Sequence, residues 1–248
     1  MLHIWIGYDE RESICSDVCA YSIKSRTSLP VTIHHLKHRE LRSASLFRRE
    51  WRIDAKGQYW DISDQRPFST QFSHSRFLVP EIAREEGIKD WVMFVDCDFL
   101  FREDIAGMVA DLNNDNLIYC VQQQHEPDRK TKMDDMQQTK YRCKNWSSLM
   151  LFNMALMPET MLSVDYVNEA AGSSMHGFDW LGGYHAGALD MKWNQLVGEY
   201  PVKNEGALHF TNGGPWLHDM EAKTSDESFW LTEFRLMNGS DWSVTDAA

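Results

Sequence analysis

Hydrophobic positions along the chain recur at two different spacings, and the switches between them outline the elements. Ile4 and Ile6 fall on one face of a run from His3 to Tyr8 that ends in Gly7-Tyr8-Asp9, which predicts a first strand opening into a loop. Ile14, Val18 and Tyr21 then lie at helical spacing, Thr27-Ser28-Leu29-Pro30 interrupts them, and Val31 to Leu36 predicts a second strand. Phe72, Arg76 and Val79 share one helical face, as do Phe77, Leu78 and Ile82. Pro80 lacks a backbone donor, so this helix is expected to kink or restart there, and Gly87 suits its end. Trp91 to Phe101, W-V-M-F-V-D-C-D-F-L-F, is an apolar run broken only by Asp96, Cys97 and Asp98. It predicts a fully buried strand with two carboxylates where the chain leaves the core.

Beyond that strand, Ile105, Met108, Val109 and Leu112 predict a helix begun by Glu103-Asp104, and Leu117 to Val121 predicts a strand. Gln122 to Lys144 is polar and aperiodic, the signature of a functional loop or lid. Leu149 to Asn153 reads as a strand, Glu159 to Ala171 as a helix closed by Gly172, and Phe229, Trp230, Phe234 and Met237 as one face of a last helix. Gly57 to Pro67 carries turn formers and reads as a loop. Strand, helix, strand at the start predicts an α/β nucleotide-binding fold, yet no G-x-G-x-x-G and no P-loop is present. If a nucleotide binds, a metal rather than a glycine loop must hold its phosphates.

Composition narrows the partners. With 248 residues the chain is expected to form a single domain, its nucleotide-binding part about 1–115 and its donor and acceptor part about 116–248. A formal net charge of −12 argues against nucleic acid, whose phosphates are bound by basic surfaces. No apolar run approaches the ~20 residues of a membrane span, and the start lacks a basic leader, so a cytoplasmic protein without a transmembrane segment is expected. The odd set Cys15, Cys19, Cys97, Cys120 and Cys143 points to buried thiols in a reducing setting rather than to a disulfide framework. Seven cations between Lys37 and Lys56 form either a face for an anionic acceptor or, the preferred reading, a solvated element paired with acidic surface.

Asp96 and Asp98 carry the chemistry. Ligands of open α/β sheets bind at the carboxyl edge of the strands, and two hard oxygen donors there suit Mg²⁺ or Mn²⁺ bearing a diphosphate. Without a cation such a pair repels. The alternative is an ordinary exposed loop after a strand.

F-V-D-C-D-F-L-F resembles the D-x-D segment of nucleotide-sugar glycosyltransferases of the GT-A fold, a Rossmann-like mixed central sheet flanked by helices, and in particular the family-eight group. Phe72 to Pro80 and the stretch His209-Phe210-Thr211-Asn212-Gly213-Gly214-Pro215-Trp216 extend the resemblance, although the second is one residue shorter than the family's motif and lacks its lysine. What the resemblance implies is a hexosyltransferase using a nucleoside diphosphate sugar, a uridine one, a hydroxyl acceptor, and Mn²⁺ or Mg²⁺ on Asp96, Asp98 and His209, with His218 the second choice to His209. It implies nucleotide contacts from Gly7, Tyr8, Asp9, Arg76, Asp96, Cys97, Asn212 and Gly213. It further implies retention of anomeric configuration, with Asp179 nearest the reacting carbon, either as nucleophile or as stabiliser of an oxocarbenium ion. Trp193 and Asn194 resemble a family Trp-Asn element of mainly structural role. The last helix is expected to pack on the domain or on a second subunit, as in a homo-oligomer. Two other readings stay open: a haloacid-dehalogenase-like phosphatase, which also places Asp-x-Asp after a hydrophobic strand but near the start of the chain, and a nucleotide-sugar or carbohydrate-binding protein without turnover.

Overall fold

The computed structural model describes residues 1–124, 131–132, 136–137, 143–203 and 205–240. Its first half contains β1 (Leu2–Gly7), α1 (Ser13–Lys24), β2 (Val31–Leu36), α2 (His38–Ser43), β3 (Trp51–Ile53), β4 (Tyr59–Asp61), β5 (Pro67–Phe68), α3 (Val79–Glu85), β6 (Trp91–Val95), β7 (Phe99–Phe101) and α4 (Ala106–Ala110). Then follow β8 (Ile118–Cys120), β9 (Thr131–Lys132), β10 (Met136–Gln137), β11 (Leu149–Asn153), α5 (Val164–Glu169), α6 (Gly172–His176), β12 (Ala186–Ala188), β13 (Gln195–Leu196), β14 (Ala207–His209) and α7 (Ser225–Asn238).

Six strands form the central sheet in the order β12, β8, β11, β6, β1, β2. β1 runs parallel to both β2 and β6, whereas β11 inserts antiparallel between β6 and β8, so the sheet is mixed. The apolar runs explain this order. Every residue of β11 is buried, as are Val92 to Val95 of β6, because both faces of the sheet centre are covered. β2, at the edge, buries only Ile33 and Leu36.

The Pro80 expectation is met: a 3-10 turn over Ser75–Leu78 gives way to α3 with Pro80 in its first turn, and Gly87 follows at φ 71°. α7 starts at a capping box in which the Thr224 side chain accepts from the Glu227 backbone and Glu227 reaches back. It buries Trp230, Leu231 and Met237 against the domain. All five cysteines are free, and four of them are buried. Among the described residues no helix is long and apolar enough to cross a membrane.

Three readings are corrected. Residues 57–67 are not a plain loop: β4 pairs antiparallel with β3 and β5, a small sheet whose strands are too short and too polar to show a pattern. The helix expected over 159–171 is only Val164–Glu169, since Leu162 takes the left-handed φ of 55° and Ser163 caps the next turn. Gly172 opens α6 instead of closing that helix. The Gln122 to Lys144 loop falls largely outside the described residues.

The cation-rich stretch splits by burial. Arg39 pairs with Glu10 and Arg48 with Asp165 at the surface, as a solvated element would. Arg49 is instead enclosed. Its Nε donates to Asp61 at 2.7 Å and its Nη1 to the carbonyl oxygens of Ala170, at 2.6 Å, and Val167, so one guanidinium ties the β3–β5 sheet to α5. Removing it leaves the buried Asp61 carboxylate unpaired. Arg49→Ala is therefore expected to destabilise the protein by about 3–5 kcal/mol in urea unfolding. A loss below about 1 kcal/mol, the worth of a surface pair, would exclude this role.

Candidate functional site

β6 belongs to the central sheet, and β7 belongs to a second, three-stranded sheet of order β13, β14, β7. Asp96-Cys97-Asp98 is the link between them. The Asp96 backbone N–H donates to Ser148 at 2.8 Å beside β11, and the Asp98 carbonyl accepts from Phe210 N–H at 3.0 Å beside β14. β14 runs antiparallel to β7 with His209 opposite Phe99, and the imidazole stacks on the Phe99 ring at 4.3 Å. This register brings together residues far apart in sequence: ligand atoms of Asp96, Asp98 and His209 all lie within 4.8 Å of one another.

The tautomer of His209 follows from its neighbours. The Asn194 Nδ2 group donates to the Asn145 carbonyl at 3.2 Å and to Ser148 Oγ at 2.9 Å, which turns Asn194 Oδ1 toward His209 Nδ1 at 2.8 Å. An amide oxygen only accepts, so Nδ1 carries the proton, and in the neutral ring Nε2 presents its lone pair. Nε2 faces Asp98 Oδ1 at 3.3 Å. A lone pair aimed at a carboxylate is unfavourable unless a cation lies between them. Two carboxylates and one imidazole with its second nitrogen anchored match the donor set of a divalent ion such as Mn²⁺ or Mg²⁺. Those are the residues that fit one.

Arg76 orients the other carboxylate. Its Nη1 forms an ion pair with Asp96 Oδ1 at 2.7 Å and donates to the Ser147 carbonyl at 2.9 Å, and its guanidinium stands against the adjacent Phe72 and Phe94 rings, 5.2 and 5.1 Å from their centres. Lysine lacks the planar group for these contacts. Asp96 and Arg76 form one end of a cleft whose walls include Asp64, Arg66, Ser147, Ser173 and His176. Ser147 Oγ and His176 Nδ1 lie 2.7 Å apart on this wall.

The other expected site residues are distributed as follows. Tyr8 stands half-exposed at the end of β1, its ring edge-on to His35 and 5.4 Å from Lys37 Nζ. Burial brings the pKa of His35 down to about 4, so this imidazole is neutral. Asp9 is fully buried; its carboxylate accepts from the Arg11 side chain and backbone and from the Gln71 N–H, so its side chain braces the loop rather than facing a ligand. Gly7 is a packing requirement, because a Cβ there would stand 2.6 Å from the Phe72 ring. Cys97 points into the core, where burial raises its thiol pKa well above the ordinary range, leaving only its backbone to meet a ligand. Asn212 donates to Glu199 at 2.7 Å, and the Gly213 N–H closes a turn onto Phe210 at a φ of 87°. That N–H is thus engaged within the turn. Asp179 is exposed at the start of a short 3-10 turn and is absent from the cleft walls, where His176 of the preceding helix stands instead. His218 is not part of the cluster among the described residues.

No individual contact was expected of Ser148 or His176, and the Trp193-Asn194 pair pointed to structure; the hydrogen bond to His209 makes Asn194 an orienting residue as well.

Comparison with known proteins follows this geometry. The chain is 36% identical over 251 residues to Protein CDI of Arabidopsis thaliana, covering 99% of this chain and 90% of that protein. It belongs to the Protein CDI family. No family model matches the chain. Among solved structures, an active-site mutant of LgtC superposes with a TM-score of 0.55 at 15% identity, over 98% of this chain and 97% of that one. The galactosyltransferase LgtC with donor and acceptor sugar analogues gives 0.52 at 16%, over 98% and 97%. The glycosyltransferase GlyE of Streptococcus pneumoniae TIGR4 gives 0.58 at 10% identity, over 94% of this chain and 61% of that one. The chain spans about half, 51%, of the bifunctional glycosyltransferase WbbM, with a TM-score of 0.53 at 13% identity over 94% of this chain. These likenesses establish the GT-A architecture, a mixed α/β sheet flanked by helices, as the motifs led one to expect.

Two measurements follow. Asn194→Ala frees His209 Nδ1 and is expected to weaken Mn²⁺ binding about 10–100-fold, read by electron paramagnetic resonance titration; unchanged affinity would remove Asn194 from this role. The second concerns Glu12, which is buried and accepts from Trp216 Nε1 at 3.0 Å. Burial first, and then the charges of Asp98 and Asp9, push its pKa up to about 8. The unfolded chain releases this proton near the ordinary value of 4.5 while the folded one keeps it, so Glu12 costs stability progressively as pH rises from about 4.5 to 8. Glu12→Gln is expected to gain stability over the wild type across that window, and parallel stability curves for the two proteins would refute the protonated state.

Proposed function

We propose that this protein is a glycosyltransferase that moves a hexose from a nucleoside diphosphate sugar, a uridine one, to a hydroxyl acceptor. The observation that carries the reading is the cluster of Asp96, Asp98 and a tautomer-locked His209 at the carboxyl end of β6, in a GT-A fold. LgtC, whose structure holds donor and acceptor sugar analogues, supports the two-substrate reading.

In this reading Asp96, Asp98 and His209 would hold Mn²⁺ or Mg²⁺, which would supply positive charge against that developing on the departing diphosphate. The chain's own residues supply the order. Arg76 fixes the carboxylate of Asp96, Asn194 fixes the ring of His209, and both supports are buried and need not reorganise during transfer. Tyr8 offers an aromatic surface for the base at the end of β1, with Lys37 against its ring. Asn212 and Gly213 lie in the loop that follows His209, and their proposed part is to shape the diphosphate side of the site. The cleft beside Asp96 supplies hydroxyl and imidazole groups, from Ser147, Ser173 and His176, of the kind that bind sugar hydroxyls. The retaining outcome and the place of Asp179 nearest the reacting carbon rest on the resemblance; Asp179, like Asp98 and His209, is not among the residues lining this cleft.

The phosphatase reading has less support, since the Asp pair follows the sixth strand and joins two sheets in a fold shared with glycosyltransferases. A binding protein without turnover would use the same contacts, and turnover separates it.

With UDP-glucose among the donors screened, sugar release or transfer is expected with Mn²⁺ and to disappear in EDTA. Asp98→Asn is expected to lower turnover by at least about a thousandfold, roughly 4 kcal/mol of transition-state stabilisation, with an unchanged circular dichroism spectrum. Activity of Asp98→Asn near wild type, or equal activity in EDTA, would overturn the metal assignment. NMR of the product is expected to show the donor's anomeric configuration, and an inverted anomer would overturn retention.

A further inference from the structure

Away from the Asp96 cluster, β1 and β2 carry a second group of metal-ligating side chains. The parallel register sets His3 opposite Thr32 and Trp5 opposite His34, making His3 and His34 diagonal neighbours on one face of the sheet. Trp5 is buried and stacks on His34 at 4.6 Å with the rings 14° apart, which holds that imidazole in place. The planes of His3 and His34 differ by only 9°, and His3 Nδ1 lies 3.2 Å from His34 Nε2. Two imidazole nitrogens on one tetrahedral zinc ion, each about 2.05 Å from it, stand about 3.3 Å apart. Glu86, exposed just beyond the end of α3, brings a carboxylate to the same point: ligand atoms of all three residues lie within 4.8 Å of one another.

We propose that His3, His34 and Glu86 form a second metal site, selective for a borderline-soft ion such as Zn²⁺, with water in the fourth position. The donor set differs from the carboxylate-rich cluster at Asp96, since two imidazoles favour zinc over magnesium or manganese. His3 pairs with Val92, four residues before Asp96, so about 13 Å of strand separates it from the level of that carboxylate, and His34, level with Phe94, lies on β2 with β1 between it and β6. An ion here joins the sheet edge to the C-terminal end of α3, the helix that continues directly from the turn carrying Arg76. Its role is structural, and the proposal stands apart from the reaction assigned to the other end of the sheet.

The test uses metal-stripped full-length protein carrying Asp98→Asn, to weaken the competing cluster. Titration with Co²⁺ is expected to give a visible absorption band of tetrahedral type that one equivalent of Zn²⁺ removes, and Zn²⁺ is expected to raise the thermal midpoint. Adding His34→Ala is expected to abolish the band and the midpoint shift, and adding Glu86→Gln, at an exposed position, to weaken Zn²⁺ binding about tenfold. Should His34→Ala fail to fold, Zn²⁺ protection of His3 and His34 from diethylpyrocarbonate, mapped by mass spectrometry, decides in its place. Zn²⁺ stoichiometry unchanged by either substitution, or no protection of the two histidines, would overturn the site and leave a plain imidazole hydrogen bond.

Discussion

The antiparallel pairing of β14 with β7 is the constraint on which the candidate site depends. It stands His209 against Phe99 and hence beside Asp98, although more than a hundred residues separate them in the chain. Strand side chains alternate between faces, so a slip of one residue in this register would turn the imidazole away from the carboxylates. The same small sheet supplies the support for that imidazole. Asn194 closes a 3-10 turn immediately before β13, which pairs parallel with β14 and sets the amide against His209 Nδ1. Ligand and orienting group therefore move as one unit.

Buried charge does the corresponding work on the other side. Arg76 is nearly buried, and its charge is met by the Asp96 carboxylate, the Ser147 carbonyl and two aromatic faces together. The partners come from three segments, so the ion pair also fixes the turn before α3 and the segment before β11 relative to β6. Arg49 repeats the arrangement farther out, gathering Asp61, Val167 and Ala170. The carboxylate of the neighbouring Asp64, 3.7 Å from the same guanidinium, accepts from the Gly172 N–H at 2.8 Å at the cleft wall. Such pairs add little net stability over apolar packing, but the loss of one member is costly, which makes their geometry hard to relax.

The buried strands were legible from sequence because a strand covered on both faces must be apolar throughout. Trp91 to Val95 and Leu149 to Asn153 show this directly, and the carboxylates after Val95 stood out against that background. Pro80 and Gly87 were legible for an equally local reason, the missing donor of one and the conformational freedom of the other. The β3–β5 sheet was not, since two- and three-residue strands have no period to read and are held by Arg49 from outside. Leu162 in a left-handed conformation ended a helix pattern that the spacing had continued, an effect of packing that no propensity announces.

At the site the division is the same. Sequence by itself determined the residue types and their position at a strand end: two carboxylates, a histidine before a glycine turn, an arginine among aromatics. Only the tertiary structure decided which of them meet. The Asp9 carboxylate is engaged within its own loop, Gly7 packs against Phe72, and Asp179 lies outside the cleft beside Asp96, while Asn194 sets the tautomer of a neutral His209. The physical reason is that strand and turn signals arise from neighbours along the chain, whereas the direction of a lone pair or the burial of a carboxylate is set by partners tens of residues away, which exist only once the sheets have paired.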